Sequence, residues 1–174
     1  GNAVHPYKML ENEIDRLIKP HYTVIDAGCG RAAPVLSKYK GRAQRLIGID
    51  LVEFTETNTG LELFNWDLSK LDLPNQSVDL IYSRSVMEHI ERPLDVYREA
   101  ARVLRPGGRF IFLTANKWDY ASLVATVVPN SWHPAIVRRT EGRDEADTFP
   151  TRYKTNTKRA VLRFARESRL EIDF

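Results

Sequence analysis

Seven residues, Val24-Ile25-Asp26-Ala27-Gly28-Cys29-Gly30, constrain this chain more than any other stretch. A β-branched pair ends abruptly in an acidic residue and two glycines one position apart. Glycines directly after a first strand let the backbone turn sharply and approach a ligand closely. Farther on, Asp50 closes the apolar run Leu46-Ile47-Gly48-Ile49. An acidic residue about 20 positions beyond the glycines, at the end of a second strand, can accept hydrogen bonds from both ribose hydroxyls. Strand, glycine turn and distant acid together point to an adenosine-containing ligand.

The remaining pattern supplies the frame. Pro6 is placed as the first residue of a helix, with Tyr7, Leu10, Ile14, Leu17 and Ile18 at helical spacing and Pro20 as its stop. A short helix is expected over residues 33–39, a third strand over 61–64 ahead of Trp66-Asp67, and a fourth over 78–82. Pro93 opens a second amphipathic helix that carries Leu94, Tyr97, Ala101 and Leu104 on one face. Arg105-Pro106-Gly107-Gly108 reads as a break before a fifth strand over 109–114. Strands alternating with helices predict an α/β fold, a Rossmann-like doubly wound and mostly parallel sheet with helices on both faces. From Asn116 the pattern changes to helical stretches at 120–127 and 134–139, a polar loop at 141–151, a basic helix at 157–168 and a strand at 170–174. The whole chain reads as one domain, with 1–116 as its cofactor half and 117–174 as its acceptor side.

Composition narrows the class. The 174 residues are 43% hydrophobic and 28% charged, which fits one globular domain and excludes disorder. Cys29 is the sole cysteine, so no intrachain disulfide forms and a reducing, cytoplasmic setting is expected. It reads as a small packed residue and not as a nucleophile. No apolar run approaches the roughly 20 residues that span a bilayer. The start is too polar and acidic for a secretory signal, and Gly1-Asn2-Ala3 reads as a cleavage scar or an excised domain. The net charge of +3 is too small to suggest a nucleic-acid binder. Residues 1–116 carry 15 basic and 15 acidic side chains, so the whole excess falls in 117–174.

Gly28-x-Gly30-x-x-Ala33 also fits a dinucleotide fingerprint, so an NAD(P)-dependent oxidoreductase is an alternative. Asp26 argues against it, because a carboxylate beside the turn is awkward for a pyrophosphate and useful near an amino-acid ammonium group. The turn also follows an N-terminal helix, and the chain is short for an added substrate domain.

Five motifs follow one another in order between about Tyr7 and Thr114. They are Asp26-Ala27-Gly28-Cys29-Gly30, Asp50, Asp67, the segment from Ser83 to Ile90, and Leu104-Arg105-Pro106-Gly107-Gly108. In this the chain resembles the class I S-adenosylmethionine-dependent methyltransferases, in the branch acting on small molecules, lipids and quinone precursors. The resemblance implies S-adenosyl-L-methionine as cofactor and S-adenosyl-L-homocysteine as product. It places Asp50 on the ribose, and Asp67 on the adenine amino group with the Leu68 amide beside it. Gly28, Cys29 and Gly30 form the cradle, and Asp26, Leu51 and Ser83 complete the cofactor set. Ala32, where many members carry a further glycine, and the bulky Arg31 depart from the pattern. The family's sheet order is 3-2-1-4-5-7-6, with an antiparallel seventh strand between the fifth and sixth. Only a sixth strand, at 170–174, is visible here. The expectation is therefore a sheet truncated at its C-terminal strands, with an edge open to a second copy of the chain.

The acceptor is narrowed by what is missing. Ser83-Arg84-Ser85-Val86 stands where amine and amide methylating members carry an Asn/Asp-Pro-Pro-aromatic motif, and no cysteine nucleophile follows the fourth strand. No spacing suggests a metal site. A small-molecule or lipid-like acceptor, and no specific nucleic acid, is the expectation. His89 and His133 are the candidate general bases, with Tyr120 and Tyr153 as further polar groups. Trp118, Trp132 and Val127-Val128-Pro129 lie near Arg138, Arg139 and Arg143, a mixture that suits an aromatic pocket beside an anionic subsite or a membrane-surface patch. The loop at 141–151 is a candidate lid. A non-catalytic cofactor-binding fragment is the second alternative.

Overall fold

A computed structural model describes residues 5–55, 58–84, 86–114, 123–129, 158–168 and 170–173. Proline opens three helices: α1 (Pro6–Leu17), α2 (Pro34–Ser37) and α3 (Pro93–Val103). Its missing N–H falls where a helix has no partner for one. The His5 imidazole caps α1 by accepting the Tyr7 N–H at 3.3 Å.

The strands are β1 (Thr23–Ala27), β2 (Arg45–Ile49), β3 (Glu62–Phe64), β4 (Val78–Ser83), β5 (Leu104–Thr114), β6 (Leu123–Pro129) and β7 (Leu170–Asp173), with α4 (Lys158–Glu167) ahead of the last. They form one sheet in the order β3-β2-β1-β4-β5-β6-β7. The first five are mutually parallel, β6 runs antiparallel to β5, and β7 runs antiparallel to β6.

Side chains alternate across the strands and build two cores. On one face Ile25, Ile47, Ile81, Phe110 and Phe112 pack with Val96, Tyr97 and Val103 of α3 and with Phe164 and Ala165 of α4. On the other Val24, Leu46, Leu80, Tyr82 and Ile111 pack with Leu10 and Ile14 of α1 and with Val35 and Leu36 of α2. Among the described residues no helix is long and apolar enough to cross a membrane.

Three expectations are corrected. Residues 123–127, read as helical, belong to β6. The run Val124, Thr126, Val127 and Val128 is β-branched, and the exposed edge of β5 offers it a ladder. The sheet expected to lack a strand therefore has seven, and Leu170–Asp173 pairs with β6 from Thr126↔Asp173 to Pro129↔Leu170. An antiparallel strand still stands second from the edge. It comes from the segment before the edge strand, not after it. Third, Arg105-Pro106-Gly107-Gly108 does not interrupt the strand, because β5 absorbs it as a register shift opposite Val78–Leu80. Gly107 takes φ +80° there, and a Cβ on Gly108 would lie 2.8 Å from the Arg105 carbonyl oxygen.

Candidate functional site

Ligands of open parallel sheets sit beyond the carboxyl ends of the strands, where the strand order reverses. Here that place lies beyond β1, between β2 and β4. The glycine turn after β1 is pinned across the end of β2: Gly28 and Cys29 both donate their N–H groups to the Ile49 carbonyl, at 2.8 and 3.2 Å. Gly28 and Gly30 take φ of +84° and +77°. A Cβ on Gly28 would fall 1.9 Å from Val86 Cγ2, whereas a Cβ on Gly30 would meet no atom within 4 Å. One glycine is required by its neighbour, and the other leaves open space above the turn.

Asp50, directly after β2, faces this turn. Its Oδ2 accepts the Gly30 N–H at 2.8 Å, and its Oδ1 accepts those of Leu51 at 2.7 Å and Val52 at 3.2 Å. The Asn65 amide braces the same loop by donating to the carbonyls of Asp50 and Val52. Asp67 accepts the Ser69 hydroxyl and N–H at 2.7 and 2.8 Å, and these bonds hold its carboxyl below the usual carboxylate range.

A cavity of about 210 Å³ gathers Gly28, Asp50, Leu51, Asp67, Leu68 and His89, six of the expected residues. Its remaining wall is Ile49, Trp66, Val86, Ile90 and Val96. Trp66 stacks on Phe64 with ring centres 4.0 Å apart and planes 4° from parallel. That aromatic wall was not anticipated, although positions i and i+2 of an extended segment share a face. Leu51, 75% exposed, stands at the rim.

Asp26, Cys29, Gly30 and Ser83 are not part of this wall. Asp26 is 3% exposed and accepts the Tyr82 hydroxyl at 3.0 Å. Burial pushes its carboxyl up to about 7, against the pull of Tyr82 and Arg84 and with the push of Asp50. Cys29 is buried against Gly48, and burial lifts its thiol to about 12, so it is a packing residue. The Ser83 hydroxyl is buried and has no hydrogen-bond partner among the described residues. Arg31 is exposed, with its carbonyl held by the Thr55 N–H. His133, Tyr120, Tyr153, Trp118, Trp132, the three arginines near them, the stretch at 134–139 and the loop at 141–151 lie outside the described residues. Among the described residues no three His, Cys, Asp or Glu side chains converge on a metal position.

A parallel sheet with a glycine turn, an acid tied to it and an apolar cleft at the strand ends defines a nucleotide-binding α/β domain. The methyltransferase domain family matches residues 25–112, and the chain belongs to that family, whose cofactor is S-adenosylmethionine. It is similar to a probable S-adenosylmethionine-dependent methyltransferase of Mycolicibacterium smegmatis, 34% identical over 105 residues that make up 56% of this chain and 40% of that protein. A sterol 24-C-methyltransferase of Gibberella zeae is 30% identical over 104 residues, 53% of this chain and 27% of its own. The crystal structure of an S-adenosylmethionine-dependent methyltransferase from Mesorhizobium loti superposes with a TM-score of 0.55 at 26% identity, covering 66% of this chain and 55% of that one. The chain thus spans less than half the length of either curated relative.

The residues present fit this cofactor. Gly30 leaves room above the turn, the buried Ser83 hydroxyl at the end of β4 has no partner among the described residues, and Asp50 offers acceptor capacity beside an apolar cleft.

Proposed function

We propose that this chain binds S-adenosylmethionine and transfers its methyl group to a small-molecule or lipid-like acceptor. The observation that carries this reading is the bond from Gly30 to Asp50 at the mouth of the cavity. It aims a carboxylate where the ribose hydroxyls of an adenosyl group would lie, and the fixed loop needs no rearrangement to receive them. Asp67 and the Leu68 amide would meet the adenine edge. Leu51, Trp66 and Ile90 would cover its faces and exclude water. Asp26 would face the ammonium of the amino-acid portion, and Ser83 would supply a hydroxyl near it.

When bound, the sulfonium supplies an already activated methyl, so the protein has chiefly to hold an acceptor in line at roughly 3 Å. His89, exposed in the turn Met87–His89 and part of the cavity wall, is the described side chain suited to take a proton from an acceptor hydroxyl. The sterol-methylating relative supports a lipid-like acceptor. We further propose a cytoplasmic setting, with which the free thiol of Cys29 is compatible.

Isothermal titration with S-adenosylhomocysteine and, separately, NAD tests the cofactor; binding of NAD alone would overturn the reading. Incubation with a labelled methyl donor and host extract, followed by mass spectrometry, tests the acceptor. Label in a small organic or lipid fraction is expected, and label in RNA alone would overturn the acceptor class. Cofactor binding without any labelled product would identify a non-catalytic binding fragment.

A further inference from the structure

Asp26 is a carboxylate in a place that an apolar residue would fill more cheaply. It lies inside β1, 3% exposed, between strands on both sides. A buried acid persists where something outside the core needs its charge. Tyr82 is the buried neighbour that offers that carboxyl a hydrogen bond. In the parallel ladder of β1 and β4, Asp26 and Tyr82 are register partners, so their side chains leave the sheet on the same face. Tyr82 is itself fully buried and packs edge-on against Tyr39 at 6.2 Å, which fixes its ring. Its hydroxyl reaches Asp26 Oδ2 at 3.0 Å. Tyr82, like Asp26, is absent from the cavity wall, and its link to the site runs through Asp26.

We propose that Tyr82 is a positioning residue for the cationic end of the cofactor: its hydroxyl orients the Asp26 carboxylate and favours its ionised form. The inference rests on the S-adenosylmethionine site proposed above and adds a residue to it. The surrounding groups are consistent with a poised acid. Burial disfavours the charge, the Tyr82 hydroxyl and then Arg84 favour it, and Asp50 disfavours it. Around Tyr82 itself lie Asp26, Tyr39 and Cys29, and burial lifts the phenol well above its ordinary range, so it acts only as a donor. Since an ammonium ligand prefers the ionised acid, affinity should rise with pH through the titration of Asp26 and then level off.

The test compares wild type with Tyr82→Phe in two measurements. Carbon NMR of the ligand-free protein follows the Asp26 carboxyl, and calorimetry follows S-adenosylhomocysteine affinity across the same pH range. Removing the hydroxyl should raise the Asp26 midpoint by about one pH unit and move the binding profile with it, so that affinity falls about fivefold at pH 7, about tenfold at pH 5 and little at high pH. Asp26→Asn, which keeps an oxygen for Tyr82, should abolish the pH dependence in either background. An equal loss of affinity at every pH, with the Asp26 titration unmoved, would make Tyr82 a packing residue and overturn the inference while leaving the proposed function standing. Wild-type protein that binds no S-adenosylhomocysteine would overturn both.

Discussion

The backbone N–H of Gly30 is bonded to Asp50 Oδ2 at 2.8 Å, joining the turn after the first strand to the acid after the second. With Leu51 and Val52 on Oδ1, the carboxylate accepts three N–H groups. An ionised carboxylate offers about four lone-pair sites, so capacity remains for a ligand while the side chain is already oriented. The turn and the acid are one unit, and each fixes the other before any ligand arrives.

Replacing Asp50 with alanine should therefore do two things. S-adenosylhomocysteine affinity should fall by about 2 kcal/mol or more, since charge-assisted bonds to the ribose are lost. Stability should fall by about 1 kcal/mol or more, because three loop N–H groups lose their acceptor. Calorimetry and urea denaturation measure the two effects separately. Unaltered affinity would remove Asp50 from the ribose site.

The two glycines of the turn should respond differently. Gly28→Ala places a methyl 1.9 Å from Val86 Cγ2 and must displace the segment after β4, so stability and cofactor binding should both collapse. Gly30→Ala meets no atom within 4 Å, and its penalty in the folded protein is the positive φ alone, about 1 kcal/mol. If the open space above Gly30 receives the cofactor, that variant stays folded and loses affinity far beyond its loss of stability. Thermal melts and calorimetry on both variants decide this, and a Gly30→Ala protein with normal affinity would move the cradle elsewhere.

The parallel half of this fold was legible because its signals are local. A β-branched run, a glycine pair and a terminal acid each stand within a few residues, and their order gives the sheet. Asp50 could be named from its place after a strand, and Asp67 and His89 from the resemblance of their segments to the family's motifs. Trp66, Val86, Ile90 and Val96 could not, since they reach the cavity only when the segments after β3 and β4 and the helix α3 converge at the strand ends. Tyr82 was invisible for a similar reason: its role depends on the register between β1 and β4, which no short window contains. Residues 123–127 misled because valines and a threonine with interspersed alanine satisfy a helical pattern as readily as a strand. The unpaired edge of β5 decides between them.

Cys29 should behave as an inert thiol. It is 6% exposed, and burial, reinforced by Asp26 and Asp50, lifts its pKa to about 12, so almost no thiolate exists at mildly alkaline pH. A disulfide reagent should label the folded protein slowly and the urea-unfolded protein quickly. Cys29→Ala should keep cofactor binding, since the residue contributes to the turn through its N–H to Ile49 and through packing against Gly48. Rapid labelling of the native state would show that the turn opens.

Asp26 gives the ligand-free protein a pH dependence of unusual sign. Its carboxyl is raised from an ordinary 3.8 to about 7, chiefly by burial, so between those values the folded chain holds a proton that the unfolded chain has released. That contribution is fully present below about pH 4 and is lost as pH rises toward 7, the reverse of an acid stabilised by a salt bridge. Asp26→Asn removes it while keeping an acceptor for Tyr82. The difference in unfolding free energy, variant minus wild type, should therefore increase by roughly 1.4 kcal/mol per pH unit across pH 5 to 7 and then level off. The variant should be the more stable protein at pH 8 and the poorer binder of S-adenosylhomocysteine, because the charge that destabilises the empty core is the one that meets the ligand's ammonium. Urea denaturation of both proteins at several pH values measures it, and parallel curves over that window would show that Asp26 is already ionised throughout.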